Sequence, residues 1–316
     1  MPSRRQILAA PALLAIRPAA AQSGFPQRPV RIIVPYTPGG VSDISARLMA
    51  EPLSARWGQP VPVENRAGAD GVIGTEALAR SAPDGHTLAL VSVGHPVNPA
   101  FYRLPYDTIG DFSFVTQTTT TPLVLCTARD FPAGSVAEVI SLAKARGGLT
   151  FAGTGGVVRL APVLFAQITG TELTYVPYRG STQAHPDLMA GRVDIMFDTV
   201  PAALPHIQSG ALKAIATTGA QRSPQLPDAP LVSETLPGFE AATWGMVIAP
   251  AGLPAPLIAQ LNADCVAALA RPEVVEKHRT LGAGIVTSSP AALRAFCEAE
   301  MRKWGEAARR AGIMPQ

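Results

Sequence analysis

Two short loops carry the residue types best suited to chemistry in this chain. One is Tyr36-Thr37-Pro38-Gly39-Gly40, followed by Ser42 and Asp43. The other is Gly153-Thr154-Gly155-Gly156. Each stands between an apolar run that reads as a strand and an amphipathic run that reads as a helix. Glycine lets the backbone approach a guest closely. The helix that follows aims its free N–H groups, and the positive end of its dipole, at the same point. Turns of this kind lie at the carboxyl ends of sheet strands, where open α/β sheets hold ligands. Two such turns facing each other would clamp an anion.

Other chemistries lack their residues. Neither loop continues into Lys-Ser/Thr, so neither is a P-loop, and the second lacks the third glycine of a dinucleotide fingerprint. No G-x-S-x-G elbow and no HExxH occurs. His95, His185, His206 and His278 show no ligand spacing, and no CxxC is present. No cofactor and no metal is expected. His95 and Asp43 are the best pair for a secreted enzyme acting in the same place. Cys126, Cys265 and Cys297 read as buried apolar residues, with a Cys265–Cys297 disulfide as the alternative.

The elements that must position these loops follow from periodicity. The 316 residues are 47% hydrophobic and 16% charged, enough apolar matter for two lobes. Strands are expected at Val30–Pro35, Val61–Glu64 and Thr87–Val93, with helices near residues 44–57 and 71–80. A long extended stretch at 114–128 leads to a second series. There, helices are expected at 135–146, 160–168 and 182–189, and strands at 149–152, 173–176, 193–197 and 212–217. Ser135 reads as an N-cap. A strand at 246–249 and helices at 254–269, 273–281 and 291–311 close the chain. Repeated β-α-β units imply mainly parallel sheets with helices on both faces. The chain leaves the first lobe near residue 124 and returns near 243. The expected lobes are 22–123 plus 243–316, and 124–242, with a ligand cleft between them.

Residues 1–21 read as a secretory signal peptide. Arg4 and Arg5 precede an apolar run from Ile7 to Ile16, and Ala19-Ala20-Ala21 offers a cleavage site. Ser3-Arg4-Arg5-Gln6 also fits a twin-arginine signal. The formal charge of +3 belongs to this leader: removing it takes three arginines and no acid. A neutral mature chain gives no ground for nucleic-acid binding. No later stretch has the 18 or so uninterrupted apolar residues that a membrane span requires.

The chain resembles a known family. Arg28-Pro29-Val30-Arg31-Ile32-Ile33-Val34-Pro35, Pro38-Gly39-Gly40 and Asp43 are similar to the opening of the Bug receptors, the TctC-like solute-binding proteins of tripartite tricarboxylate transporters. Val63-Glu64-Asn65-Arg66-Ala67-Gly68, Pro83-Asp84-Gly85-His86-Thr87-Leu88, Val176-Pro177-Tyr178-Arg179-Gly180 and Trp244-Gly245 continue the likeness in order. The resemblance implies a two-lobe Venus-flytrap fold and a periplasmic receptor for organic acids, amino acids or related molecules. It implies membrane permease subunits as partners, a monomer, and no catalysis. The alternatives are a secreted enzyme on a small acid, or a receptor presenting its ligand to a membrane sensor. Carried over, Tyr36, Thr37, Pro38, Gly39, Gly40, Ser42 and Asp43 line one wall, with Ser92, Gly94 and Asn98 near it. Thr154, Gly155, Gly156, Tyr178, Asp198 and Thr199 line the other. Asp43 can equally be a helix cap, and Asp198 a solvated strand end. The second loop departs from the family: it is about three residues short and runs into Val157-Val158-Arg159. That favours a more apolar or aromatic acid.

Overall fold

β-Branched and apolar runs bounded by Gly and Pro become strands, and each strand delivers its chain end to a helix. A computed structural model describes residues 24–154 and 156–316. The signal-peptide segment and Gly155 lie outside the described residues. β1 (Arg31–Val34), α1 (Val41–Trp57), β2 (Val63–Asn65), α2 (Val72–Ala79) and β3 (Thr87–Ser92) form the first series, and the short α3 (Gly94–Val97) follows it. β1 pairs in parallel with β2 and with β3. It is buried on both faces, which is why it reads as an unbroken apolar run. Ile32 and Val34 point to a core shared with Leu53, Leu88, Leu90 and Leu261. Ile33 points to the opposite core with Leu78, Ala89 and Val91.

β4 (Phe112–Ala128) is a single 17-residue strand. Its first part pairs antiparallel with β9 (Ala242–Pro250), from Phe112 opposite Pro250 to Pro122 opposite Ala242. From Leu123 onward it pairs antiparallel with β7 (Ile195–Thr199), and from Val124 with β8 (Leu212–Thr217). The second series hangs on that part: α4 (Val136–Arg146), β5 (Leu149–Gly153), α5 (Gly156–Thr169), β6 (Leu173–Pro177) and α6 (Ser181–Met189). β5 pairs in parallel with β6 and with β7. Phe151, Phe165 and Phe197 fill its core. α9 (Ala255–Leu269), α10 (Pro272–Thr280), β10 (Gly284–Ile285) and α11 (Pro290–Arg310) return to the first series, with α9 beside α1 and α11 against α3.

Three sequence expectations need correction. The sheet is mixed rather than mainly parallel: among the described residues β3–β9, β4–β9, β4–β7, β4–β8 and β4–β10 are all antiparallel. β4 and β9 run between the two series instead of closing a β-α-β unit. α5 begins at Gly156, four residues before the expected Leu160: Val157 and Val158 extend its buried face, and Gly156 takes the left-handed φ of +51° at the turn into it. A helix absent from the expectations, α7 (Val200–Gln208), contains Pro201 in its first turn and Pro205 inside. Those prolines hid it. The short α8 (Val232–Thr235) interrupts the Pro-rich connection. Ser135 caps α4 as expected, its hydroxyl accepting from the Glu138 amide at 3.3 Å. All three cysteines are buried and free.

Candidate functional site

The first loop is built to stay open. Pro35 ends β1, and Gly39 takes a φ of +88°, a conformation side chains resist. Gly40 then caps α1 in an extended conformation with no side chain covering the first turn. Thr37, Pro38, Gly39 and Gly40 are exposed, and Ser42 is partly buried. The positive end of α1 therefore faces outward unfilled.

Asp43 stands just inside this turn and is 3% exposed. Its Oδ2 accepts from the Gly39 amide at 2.9 Å, and its Oδ1 accepts from Asn65 Nδ2 at 2.9 Å. Arg47 adds an ion pair at 3.0 Å. Burial pushes this carboxyl's pKa up, but the donors from Arg47, Gly39 and Asn65 outweigh it, so the net pKa is lowered. The side chain is an internal brace for the loop. It is neither the helix cap nor the free charge that the sequence allowed: the start of α1 has no side-chain cap, and Arg47 pairs with the carboxylate.

Tyr36 folds back from the loop. Its hydroxyl accepts from the Ser92 hydroxyl at 2.7 Å and from the Ser92 amide at 3.1 Å. Gly94 lies beside that hydroxyl, and a Cβ at Gly71 would meet the Tyr36 ring at 3.1 Å. Asn98 is buried and donates to the Asp70 carbonyl at 3.0 Å, holding a turn in which Ala69 and Asp70 both have positive φ. Tyr36, Ser92, Gly94 and Asn98 thus assemble as one wall. Asn65, Asp70 and Gly71, which the sequence reading did not select, hold it in place. Asn65 stood in the Asn65-Arg66-Ala67-Gly68 run, but its role lies in pairing with Tyr36, Asp43 and Arg47.

The second wall shows the same design. Thr154 is partly buried at the end of β5, and Gly156 opens α5. Tyr178 donates its amide to the Gly153 carbonyl at 3.0 Å and its hydroxyl to Asp187 at 2.7 Å. Burial and that hydrogen bond push the Tyr178 phenol up to about 12, so it stays a neutral donor. Asp198 is 1% exposed, which overturns its reading as a solvated strand end. It accepts from the Ser181 hydroxyl, His185 Nε2 and the Thr199 amide, each at 2.8 Å. Ser181 faces Asp198 rather than His185, so the trio is not arranged to activate a nucleophile.

Among the described residues no hydrogen bond joins one wall's residues to the other's. α5 packs on α3, and the Arg159 guanidinium reaches between Tyr175 and Phe101. The two surface depressions that stand out lie elsewhere. One of ≈ 550 Å³ runs beside Pro96, Ala100, Met301 and Ile313, and one of ≈ 430 Å³ beside Arg28, Asp84 and His86. Neither is lined by a residue of the two loops. The His95–Asp43 pair considered for catalysis does not form. His95 donates Nε2–H to the Thr108 carbonyl at 2.8 Å and packs against Tyr106 and Phe112. Burial lowers its pKa to about 4.

The family model of the tripartite tricarboxylate transporter family receptor matches residues 45–313. The chain belongs to that receptor family. BugT of Bordetella pertussis is 38% identical over 295 residues, covering 91% of this chain and 90% of that protein. A solved R. palustris protein with adipate has 35% identity and a TM-score of 0.78, covering 93% of this chain and all of that one. MatC from Rhodopseudomonas palustris with bound malate has 32% identity and a TM-score of 0.73, covering 90% and 100%. The α/β fold is therefore the two-lobe fold of the tripartite tricarboxylate transporter receptors. This is a family of solute-binding receptors rather than of enzymes, and its members are periplasmic.

Proposed function

We propose that this chain is an exported receptor that holds a small carboxylate between its two walls and hands it, chemically unchanged, to membrane permease subunits. One observation carries the reading. Both acids at the candidate site, Asp43 and Asp198, are buried and spend their oxygens on internal donors, while the exposed first turn of α1 stays uncapped. The walls offer N–H and O–H groups to a guest and no free negative charge. An anion gains from such a surface, since each charge-assisted hydrogen bond contributes about 1.5–3 kcal/mol. Relatives solved with adipate and with malate agree with a carboxylate guest.

The lobes we assign are 22–123 plus 243–316, and 124–242. The change of partners along β4 after Pro122 supports that division. Tyr36, Thr37, Gly39, Gly40, Ser42, Ser92 and Gly94 form one binding wall. Thr154, Gly155, Gly156, Tyr178 and Thr199 form the other. Asp43, Asn98 and Asp198 support these from behind. The protein works as a monomer with a cleaved leader ending near Ala21.

Thermal-shift and calorimetric titration with malate, adipate and benzoate, followed by mass spectrometry of the recovered acid, test this. A bound acid recovered intact is expected. Conversion of the acid, or no affinity for any of the three, refutes the proposal.

A further inference from the structure

Arg159 is an arginine without an acid. It lies in the first turn of α5, three residues after Gly156. Its guanidinium carbon sits 4.5 Å from the Tyr175 ring centroid and 5.3 Å from that of Phe101, inside cation–π range. Among the described residues no carboxylate pairs with it and no hydrogen bond uses its N–H groups. Most of the described arginines are paired, among them Arg47 with Asp43, Arg66 with Glu64 and Arg192 with Asp187. Arg159 is also partly buried, held by two ring faces but by no anion.

Its position ties it to both walls. Tyr175 lies against the second loop: a Cβ on Gly153 would come within 2.8 Å of its ring. Phe101 closes the turn after Asn98, its amide donating to the Asn98 carbonyl at 2.9 Å. Aromatic rings contact a guanidinium through their faces, and a carboxylate meets it edge-on, with two parallel N–H···O bonds. Ring contact and carboxylate binding are therefore compatible in one side chain.

We propose that Arg159 binds the ligand's carboxylate directly as a bidentate ion pair, and that the preferred ligand is a carboxylate whose adjoining carbon skeleton is apolar. The inference rests on the receptor reading above and adds the contact that selects the ligand. Tyr175 and Phe101 flank the charge with hydrocarbon, so a skeleton bearing hydroxyls beside its carboxylate would leave them without partners there.

The test measures dissociation constants by calorimetry for malate, adipate and benzoate, on wild type and on two variants. Arg159→Met removes the charge and keeps much of the bulk. Phe101→Leu removes one ring and keeps the charge. Wild type is expected to bind adipate or benzoate more tightly than malate. Arg159→Met is expected to weaken the best of them by about tenfold to a hundredfold, with the melting temperature of the ligand-free protein held within about 2 °C. Phe101→Leu is expected to cost less than a third of that factor. An affinity within twofold of wild type in Arg159→Met overturns the ion pair and leaves the receptor reading intact. Equal losses in the two variants also overturn it, because they make Arg159 a brace between the walls. Malate bound most tightly overturns the ligand class. A wild type that binds none of the three overturns the receptor reading and this inference together.

Discussion

Asp43→Ala separates a brace from a ligand contact. The carboxylate accepts from the Gly39 amide, from Asn65 and from Arg47. Arg47 is half exposed, so its freed charge returns to water at small cost. The Gly39 amide and Asn65 Nδ2 lose an acceptor in a partly buried setting. At about 1–1.5 kcal/mol each, the loss is about 2–3 kcal/mol, or about 5–10 °C in melting temperature. The pH dependence is specific. Asp43 has a pKa lowered by its donors against the opposing effect of burial. The unfolded carboxyl titrates near about 3.9, so its contribution is full above that value and is lost as pH falls through the lower folded value. Wild type should exceed Asp43→Ala by the same margin at pH 7 and pH 5, and the two should converge below about pH 4. Urea or thermal unfolding at those pH values measures this, with carboxylate affinity followed in parallel. Affinity should drop several-fold as the loop loosens. A variant of unchanged stability that no longer binds would show that Asp43 touches the guest and that the brace is misread.

Three further perturbations have defined outcomes. At Gly40 a Cβ would find only the Thr37 carbonyl, 3.9 Å away, and φ is −77°, so Gly40→Val should melt within about 3 °C of wild type while losing at least tenfold in affinity; unchanged affinity rules out close approach of the guest there. At Gly74 a Cβ would lie 2.7 Å from both the Arg66 carbonyl and Pro35 Cβ, so Gly74→Ala should lose about 1–3 kcal/mol in denaturant titration, because backbone has to move. Burial holds His95 neutral, with a pKa lowered to about 4 against 6.5. The unfolded state then binds the proton first, and stability falls as pH drops from about 6.5 to 4, by about 3 kcal/mol at 1.36 per unit. His95→Gln should flatten most of that acid limb in urea midpoints, leaving a smaller slope from His278, which burial also holds down.

What the sequence made legible was local. The first glycine loop, most of the strand runs and the Ser135 cap each depend on residues within a few positions, and each stands close to where the pattern put it. α7 escaped because Pro201 and Pro205 carry the signature of a break, yet the first sits where its missing N–H costs nothing. The mixed sheet escaped for a different reason. A run such as Phe112–Ala128 shows how long a strand is and nothing about which strands flank it. Its neighbours lie some 70 to 165 positions away in the chain. The acids were hardest. Asp43 and Asp198 look like free charges in sequence because Asn65 and His185, which donate to them, are 22 and 13 residues distant; only Arg47, four residues on, was within helical reach of Asp43.

At the proposed site, the two acids would explain how a chain with carboxylates at both walls can suit an anionic guest. A free aspartate at the first turn of a helix would cancel the field that attracts the anion. Turned inward, it does the reverse. Asp43 fixes the Gly39 amide and thereby the turn that leaves the end of α1 uncapped; Asp198 fixes the Thr199 amide and the Ser181 hydroxyl at the opposite wall. Each carboxyl group is spent on orienting donors, so at the proposed site the donors would not need to reorganise when a guest arrives. Preorganised dipoles of this kind favour an anion more than mobile ones, since their orientation is already fixed before binding. Replacing the acid with its amide keeps the shape and tests the point: in Asp198→Asn the oxygen can still accept from Ser181 and the Thr199 amide, but the new NH2 cannot accept from His185, so that ring must change tautomer or turn away, and carboxylate affinity should fall even where the fold survives.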